Sequence, residues 1–428
     1  MTISELDKEY LWHPYTPLDG QLFPEVVKAE GSYLYLADGT KLLDGISSWW
    51  VSVHGHAHPV LVKALASQAS QLDHTLFAGF THKPAVEVAE KLLSLLGSNQ
   101  KKIFYSDNGS TAVEVALKWA LQYHKNNNRT RSKFIAWDGA FHGDTFGAMS
   151  VSGKSIFTFP YNEVLCSVDY LPFPDSTTSE EEVIERFTNL CSSKEYAAFI
   201  FEPLVQGTAG MRMYSPQLLD RLMKIAHQYD VICIDDEVMT GFGRTGTMFA
   251  KDQCEIEPDI ICISKAVTGG ILPIGITTCT QKIVDAFLNQ PLEKAFFHGH
   301  TYTANPIICK VTSANLDLIK EKSFLERINQ IAQSHKDFIN GLSSEIKSKV
   351  LDISSLGILL RVEFPVQDRG YASKRRKFLY DFFIQKGVLL RPLGNVVYFM
   401  PPLSFSTEEI KHVYDSMLQC IVEIQNLE

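Results

Sequence analysis

The 428-residue sequence lacks any cysteine pair at the C-x-x-C spacing that is typical of zinc sites and redox-active disulfides. Its eight cysteines are scattered, and several lie inside apolar runs such as 231–234 and 260–263. Scattered positions of this kind predict buried free thiols in a reducing compartment. We therefore expect a cytoplasmic protein that has neither a disulfide framework nor a metal site.

Long hydrophobic runs and an excess of positive charge are also missing. No apolar stretch reaches the roughly 18 residues needed to cross a bilayer, and the first 15 residues contain no apolar segment of the signal-peptide type. Forty Lys and Arg residues face 49 Asp and Glu residues, which gives a net charge of −9. This balance argues against nucleic acid or a membrane as partner, although it is compatible with a local basic pocket for a small anion.

What the sequence does contain is a regular alternation of strand-length apolar runs with helical patterns. The predicted strands are 102–105, 133–137, 197–201, 231–234 and 259–263, and the predicted helices between them include 112–124, 181–191 and 216–229. Alternation of this kind predicts an α/β fold with a largely parallel sheet.

The pattern changes after residue 305 and predicts a second, smaller domain. A long helical stretch is followed by strands near 355–364 and 388–400 with a helix between them, and a terminal helix begins at Ser406. We therefore predict a large domain over 51–305 and a C-terminal α+β domain over 306–428. The N-terminal segment 1–50 is expected to join the small domain.

Two motifs suggest functions that their surroundings do not support. Gly241–Gly246 matches the dinucleotide-binding pattern G-x-G-x-x-G, but an acidic cluster separates it from the preceding strand and no helical pattern follows. His54, His56 and His58 would share one face of an extended strand and could hold a metal ion. Because no carboxylate or cysteine stands nearby in the sequence, we favour a loop of hydrogen-bonded histidines.

Lys265 is a candidate nucleophile because it stands just after the apolar strand 259–263. Burial at the end of a strand depresses the pKa of a lysine, and the resulting neutral amine is suited to a Schiff base. The alternative is an ordinary surface lysine at the edge of a strand.

Asp236 favours the interpretation of Lys265 as a nucleophile, since Asp236 lies in an acidic cluster at the end of the strand 231–234. Ligands of α/β sheets gather at the carboxyl ends of the strands. A lysine and a carboxylate at that edge match the needs of pyridoxal phosphate, where the amine holds the aldehyde carbon and the carboxylate keeps the pyridine nitrogen protonated.

A phosphate group could bind where Gly109 and Ser110 follow one strand and open the helix 112–124. Free backbone N–H groups and hydroxyls at a helix N-terminus form an anion cradle, although an ordinary helix cap would have the same sequence. Phe141, which follows the strand 133–137, could supply an aromatic face for the cofactor ring.

Together, the run 236–246 and the run 264–270 resemble the class III aminotransferases of fold type I. The resemblance extends from about residue 10 to the C-terminus. It implies a large domain with a mostly parallel central sheet, a smaller α+β domain, pyridoxal 5'-phosphate as cofactor, and a homodimer.

Within that class, further markers resemble the branch that acts in biotin biosynthesis; these markers are 13–16, 47–50, 141–149, Gln206, 210–213, 391–398 and 401–402. This resemblance implies conversion of 8-amino-7-oxononanoate to 7,8-diaminononanoate, with S-adenosylmethionine as the amino donor. Lysine as donor, or another ω-amino acid aminotransferase of the class, are the alternatives. A cofactor-binding regulator without turnover is a third alternative, against which the intact Lys265 and Asp236 speak.

The resemblance also implies roles for single residues. Lys265 is expected to be the Schiff-base lysine and Asp236 the partner of the pyridine nitrogen. The remaining cofactor residues are expected to be Gly109 and Ser110 at the phosphate, Phe141 on the ring, and Thr301 at the phosphate of the neighbouring subunit, so that the dimer shares its active sites. Arg391 is expected to bind the substrate carboxylate, and the substrate pocket is expected to include Tyr15, Trp49, Asp144, Arg244, Gly299 and Tyr398.

Two residues depart from the usual pattern of that branch. Phe141 stands where a tyrosine is usual, and His300 stands where a proline is usual before the phosphate-binding threonine. These departures leave transamination untouched, because they alter neither Lys265 nor Asp236. They bear on the amino donor, since a hydroxyl is missing beside the cofactor.

Overall fold

The computed structural model of the chain describes residues 1–365, 373 and 375–424. In chain order, the strands are β1 (Val26–Glu30), β2 (Tyr33–Leu36), β3 (Lys41–Asp44), β4 (Gln100–Ser106), β5 (Lys133–Trp137), β6 (Val168–Leu171), β7 (Tyr196–Phe201), β8 (Val205–Gln206), β9 (Arg212–Met213), β10 (Ile232–Asp236), β11 (Ile260–Ile263), β12 (Gly275–Thr280), β13 (Asp352–Leu356), β14 (Leu359–Glu363), β15 (Val388–Leu389) and β16 (Val396–Phe399).

The helices lie between these strands and flank the sheets. They are α1 (Ile3–Tyr10), α2 (Ser47–Trp50), α3 (Pro59–Ala69), α4 (Lys83–Leu96), α5 (Gly109–Asn126), α6 (Phe146–Val151), α7 (Glu180–Ser192), α8 (Pro216–Gln228), α9 (Gln281–Phe287), α10 (Pro306–Lys320), α11 (Lys322–Gly341), α12 (Ser344–Lys347), α13 (Arg375–Gln385) and α14 (Thr407–Glu423). Short 3-10 helices occupy Phe159–Val164, Ala250–Gln253, Lys265–Thr268 and Leu292–Lys294.

The central sheet has seven strands in the order β4-β12-β11-β10-β7-β5-β6. Only β12 runs antiparallel to its neighbours, so the sheet is mostly parallel. All residues of β7, β10 and β11 are buried, as is typical of a sheet that is covered by helices on both faces. The predicted α/β fold is confirmed, and each of the five strands predicted for the large domain lies within two residues of an observed one. The stretches near 355–364 and 388–400 are different from the prediction, since each contains two short strands, β13 with β14 and β15 with β16.

Two smaller sheets flank this core. The sheet β1-β2-β3-β15 brings the N-terminal strands together with β15, which pairs in parallel with β3. The sheet β13-β14-β16 is antiparallel and belongs entirely to the C-terminal part of the chain. Strand pairing between the two ends of the chain supports the predicted division at residues 50 and 305, which stays a prediction. Residues 366–372, 374 and 425–428 of the predicted C-terminal domain lie outside the described residues.

Several details of the C-terminal half are finer than the sequence indicated. The long helical stretch after residue 305 is divided into α10, α11 and α12. Ser406 caps α14, and its hydroxyl accepts from the backbone N–H of Glu409 as the predicted capping arrangement requires. No helix among the described residues is both long and apolar enough to cross a bilayer.

All eight cysteines are free thiols in the structure, which confirms that part of the prediction. Six of them are buried and Cys254 is half-buried. Cys166 departs from the expected burial because it lies in the exposed connection between a 3-10 helix and β6.

Candidate active site

The carboxyl ends of β4, β5, β7, β10 and β11 meet at one edge of the central sheet because these strands are mutually parallel. A cavity of about 260 Å³ opens at this edge, and we call it the sheet-edge cavity. Its lining includes Trp50, Gly109, Ser110, Phe141, His142, Glu202, Asp236 and Lys265. The tertiary structure thus brings together the lysine, the carboxylate, the helix start and the aromatic ring that the sequence placed after different strands.

The amine of Lys265 lies in the lining of the sheet-edge cavity. Its Nζ lies 4.4 Å from the centre of the Trp50 ring. Desolvation by burial lowers the pKa of Lys265 to about 8 from its ordinary 10.5, although the nearby carboxylates of Asp236 and Glu202 oppose this shift. At pH 7 about a tenth of the amine is therefore neutral and nucleophilic.

Asp236 stands beside the lysine because β10 and β11 are parallel neighbours, with Asp236 opposite Cys262. The carboxylate is 4% exposed. Its Oδ2 lies 2.6 Å from Nδ1 of His142, and its Oδ1 accepts from the backbone N–H of Val238 at 3.1 Å. Because these contacts orient the side chain at the cavity wall, Asp236 offers a fixed negative charge to a ring nitrogen.

Helix α5 directs its N-terminus into the same cavity. Asn108 caps the helix, and its side chain accepts from the backbone N–H of Thr111 at 3.0 Å. The first N–H groups of a helix have no intrahelical partner, so they can bind an anion together with the Ser110 hydroxyl. Only glycine fits at position 109, since a Cβ there would lie 2.8 Å from the Val238 side chain.

These groups fit pyridoxal phosphate. A nucleophilic amine, a buried carboxylate, an aromatic ring and an anion-binding helix start are the four functions that the cofactor requires, and all four line one cavity of about 260 Å³. Lys265 would hold the aldehyde, Asp236 the pyridine nitrogen, and Gly109 with Ser110 the phosphate.

Sequence reasoning missed two polar residues of the sheet-edge cavity, Glu202 and His142. Glu202 is 5% exposed and accepts from the backbone N–H groups of Phe141 at 3.1 Å and Gly207 at 2.9 Å. Burial raises the pKa of Glu202 to about 7. Glu202 follows the apolar strand β7 directly, so the rule that singled out Lys265 and Asp236 would also have found it.

A second group of residues surrounds the Tyr15 ring beside the cavity. The Tyr15 hydroxyl donates to Oδ2 of Asp144, and the Tyr15 ring packs edge-on against Trp49 at 5.6 Å. We call Tyr15 and Trp49 the aromatic wall. Tyr15 and Asp144 also line a neighbouring cavity of about 610 Å³, whose other residues are largely aromatic or aliphatic.

Arg391 lies at the other end of the aromatic wall. Its guanidinium carbon is 4.5 Å from the centre of the Trp49 ring, and no carboxylate in the described part of the chain forms an ion pair with it. Tyr398 is fully buried, and its hydroxyl accepts from Nε1 of Trp50 at 2.9 Å. Tyr398 therefore supports the Trp50 ring that faces Lys265.

The sequence profile described as aminotransferase class-III matches residues 15–421. The chain belongs to the class III aminotransferases. It is 42% identical over 423 residues to the adenosylmethionine-8-amino-7-oxononanoate aminotransferase of Synechococcus elongatus, covering 97% of this chain and 99% of that one.

Solved structures agree with this membership and with fold type I. The adenosylmethionine-8-amino-7-oxononanoate aminotransferase of Methanocaldococcus jannaschii superimposes with a TM-score of 0.92 at 33% identity, covering 98% of both chains. An omega transaminase of Pseudomonas jessenii in complex with PMP has a TM-score of 0.90 at 25% identity, covering 99% of this chain and 98% of that one. Pyridoxal 5'-phosphate is therefore confirmed as the cofactor of this class III aminotransferase.

Three other predicted site residues of the aminotransferase lie outside the sheet-edge cavity. Arg244 is 2% exposed, and its guanidinium donates to Ser47 Oγ and to the carbonyl of Trp50, each at 3.2 Å. Gly299 and Thr301 lie on an exposed segment of the chain. In the same segment, Nδ1 of His300 is 3.2 Å from the Asp107 carboxylate.

The histidine motif of the aminotransferase forms a hydrogen-bonded loop. Nε2 of His54 lies 2.9 Å from Oδ1 of Asn315, and Nε2 of His56 lies 2.9 Å from Oδ2 of Asp44. These contacts engage two of the three imidazoles with protein partners, as the preferred interpretation requires.

Proposed function

We propose that this aminotransferase converts 8-amino-7-oxononanoate to 7,8-diaminononanoate in biotin biosynthesis, with S-adenosylmethionine as the amino donor. The protein is expected in the cytoplasm, as its eight free thiols favour. The named relatives and the marker residues support this substrate over a general ω-amino acid.

One observation carries the proposal: the aromatic wall has a cation at one end and an anion at the other. Arg391 stacks on Trp49, and Asp144 accepts from Tyr15. A substrate with a carboxylate and an ammonium group at opposite ends, joined by an apolar chain, matches this order of charges. The Arg391 guanidinium offers two parallel donors to a carboxylate.

Within the site, each residue has a distinct task. The bound cofactor supplies an aldehyde that takes up an amino group and a ring that accepts electrons. The Lys265 amine would act as general base and acid, taking a proton from the carbon that bears the donor's amino group and delivering it to the carbon on the other side of that nitrogen. Asp236 holds a proton on the ring nitrogen, and Arg391 and Asp144 orient the keto substrate by its two ends.

The proposal includes a homodimer with shared active sites, in which Thr301 reaches the phosphate site of the partner. The segment around Thr301 supports this arrangement because it is exposed and carries large apolar side chains. Phe297 is 68% exposed and Tyr302 is 60% exposed. Large exposed aromatic side chains beside a predicted phosphate ligand are typical of a surface that another chain covers.

The purified protein loaded with pyridoxal phosphate should form 7,8-diaminononanoate from 8-amino-7-oxononanoate when S-adenosylmethionine is supplied. Mass-spectrometric detection of the diamine tests this directly, with lysine as the second donor in a parallel reaction. We expect S-adenosylmethionine to support the faster rate, since it is the usual donor of this branch.

Faster turnover with lysine would overturn the donor assignment and leave the keto substrate in place. Turnover of a simple ω-amino acid that exceeds turnover of 8-amino-7-oxononanoate would overturn the proposed function itself. Lys265→Ala serves as the blank in every arm, because it removes the nucleophilic amine.

Arg391→Lys should raise KM for 8-amino-7-oxononanoate by about 10- to 100-fold with a smaller change in kcat. The substitution keeps the positive charge but loses the two-pronged contact with the carboxylate, and hydrogen bonds to charged groups contribute about 1.5–3 kcal/mol. Initial rates at varied keto substrate measure the split between KM and kcat.

The methyl ester of the keto substrate provides the matched control for Arg391. Wild-type enzyme should bind the ester about as weakly as Arg391→Lys binds the acid, and the variant should discriminate little between ester and acid. If Arg391→Lys loses the same factor on both, the guanidinium does not contact the carboxylate and this assignment fails.

A further inference from the structure

The backbone of α2 is left-handed over four consecutive residues that are not glycine. Ser47, Ser48, Trp49 and Trp50 have φ values of 51°, 45°, 69° and 74°. In this region the Cβ of an L-residue crowds the following carbonyl, which costs about 1–2 kcal/mol per residue. Such a turn persists only where its surroundings impose it.

The Arg244 side chain makes three hydrogen bonds to this turn and to the residues just after it. Its guanidinium donates to Ser47 Oγ at 3.2 Å and to the carbonyls of Trp50 at 3.2 Å and Ser52 at 3.4 Å. The contacts span the start of the turn, its last residue and the second residue beyond it. A planar fork with fixed donor directions is suited to holding three oxygens in one arrangement.

Other contacts fix the turn from its outer sides. Ser47 Oγ donates to the carbonyl of Met400 at 2.8 Å, and Ser48 Oγ donates to Asp44 at 2.7 Å. Asp44 is fully buried and is also bound by His56. Through His56, the histidine loop contributes to the same support.

The turn presents its two tryptophans in different directions. The Trp49 ring lies against the Arg391 guanidinium at 4.5 Å, whereas the Trp50 ring lies beneath Lys265 Nζ at 4.4 Å. A right-handed turn would direct both rings elsewhere, since the sign of φ decides where each Cβ points. One backbone conformation thus places the rings next to the proposed carboxylate ligand and the proposed nucleophile.

We propose that Arg244 is a positioning residue that imposes the left-handed turn and thereby sets Arg391 through Trp49 and Lys265 through Trp50. This role differs from the substrate contact that the family resemblance implied for Arg244. The part that concerns Arg391 rests on the proposed function, whereas the part that concerns the turn and Lys265 does not.

A double-mutant cycle with Arg244→Lys and Ser47→Ala tests the proposal. Arg244→Lys removes the guanidinium fork and Ser47→Ala removes the hydroxyl that accepts from it, but only the first change could remove a direct contact with substrate. We expect each to raise KM for 8-amino-7-oxononanoate, Arg244→Lys by about tenfold, and the double variant to lose less than the product of the two effects.

Two readouts do not depend on turnover. Near-ultraviolet circular dichroism of the apoenzyme reports the packing of the tryptophans, and the pH midpoint of pyridoxal phosphate capture reports the environment of Lys265. Both should change in Arg244→Lys and in Ser47→Ala. Arg131→Lys is the matched control, because Arg131 also donates to two backbone carbonyls, those of Tyr196 and Asp230, and should change neither readout.

Ser47→Gly separates backbone conformation from the lost hydroxyl. Glycine adopts positive φ without steric cost, so Ser47→Gly should lie closer to wild type than Ser47→Ala in both readouts. This comparison tests the proposal even if Arg244→Lys fails to fold. Equal changes of the dichroism and of the capture midpoint in Ser47→Gly and Ser47→Ala would overturn it.

A second pattern would also overturn the proposal. In that pattern Arg244→Lys raises KM while the dichroism and the capture midpoint stay at wild-type values, and its effect on KM multiplies with the effect of Ser47→Ala on KM. That result would make Arg244 a direct substrate ligand. If the wild-type enzyme does not turn over 8-amino-7-oxononanoate, the proposed function fails, and the dichroism and the capture midpoint still decide the role of Arg244.

Discussion

Replacement of Lys265 by alanine should lower kcat by at least about 10³-fold and abolish the visible absorbance band of the cofactor-loaded protein. The substitution removes both the amine that captures the aldehyde and the general base, and a positioned base alone contributes about 10²- to 10⁴-fold. Absorbance spectra and single-turnover rates measure the two losses separately.

Lys265→Arg is the informative companion, because it keeps a positive charge in the sheet-edge cavity without a nucleophilic amine. It should be as inactive as Lys265→Ala, whereas Lys101→Ala, which changes an exposed lysine of β4, should match wild type. A visible band in Lys265→Ala that borohydride fixes to the chain would show that another lysine carries the cofactor.

Wild-type apoenzyme should capture pyridoxal phosphate with a rate that rises with pH and levels off above about pH 8. The pKa of Lys265 is lowered to about 8, so its protonated, unreactive form dominates below that value and its neutral form above it. Below the midpoint we expect about a tenfold rise for each pH unit. A rate that keeps rising to pH 10 would show a lysine with its ordinary pKa.

Asp236→Asn should lower kcat by about 10²- to 5 × 10³-fold and weaken cofactor binding. Asparagine keeps the shape and can still accept from Val238, but it cannot hold the ring nitrogen protonated. Removal of one partner from a buried charge pair costs about 3–5 kcal/mol, which corresponds to that range of rates. Steady-state rates at saturating cofactor and cofactor titration of the apoenzyme measure the two effects.

Asp235→Asn is a closely matched control, since Asp235 is the neighbouring buried acid on the same strand. Alternate residues of a strand face opposite sides, and Asp235 does not line the sheet-edge cavity. Burial raises the pKa of Asp235 well above its ordinary value. Equal losses in the two variants would mean that the acidic cluster matters for folding and not for the cofactor.

Much of the central domain could be predicted from the sequence because its signals are local. Each buried parallel strand appears as a short apolar run, and each functional residue follows the run at its carboxyl end, as Asp236 and Lys265 do. The capping pattern around Gly109 is equally local, since a helix start depends on three or four consecutive residues. Because strand ends of a parallel sheet meet at one edge, these signals also predict that the groups converge.

Contacts between distant segments could not be predicted in the same way. No periodicity indicates that Arg391 stacks on Trp49, that Tyr398 supports Trp50, or that Glu202 binds the backbone of Phe141. The resemblance to class III aminotransferases named most of these residues and implied a place for Arg244 in the substrate pocket, but it did not indicate that the Arg244 guanidinium donates to the backbone of α2.

The sequence by itself therefore determined the α/β class and indicated the cofactor and its candidate residues, since the apolar runs and the residues at the strand ends occupy consecutive positions. The scattered cysteines, several of them inside apolar runs, also predicted the free thiols that the structure shows. The tertiary structure alone decided the handedness of Ser47–Trp50. Left-handed backbone is unfavourable for every residue of that turn, so it exists only through contacts with Arg244, Asp44 and Met400, which lie in other parts of the fold.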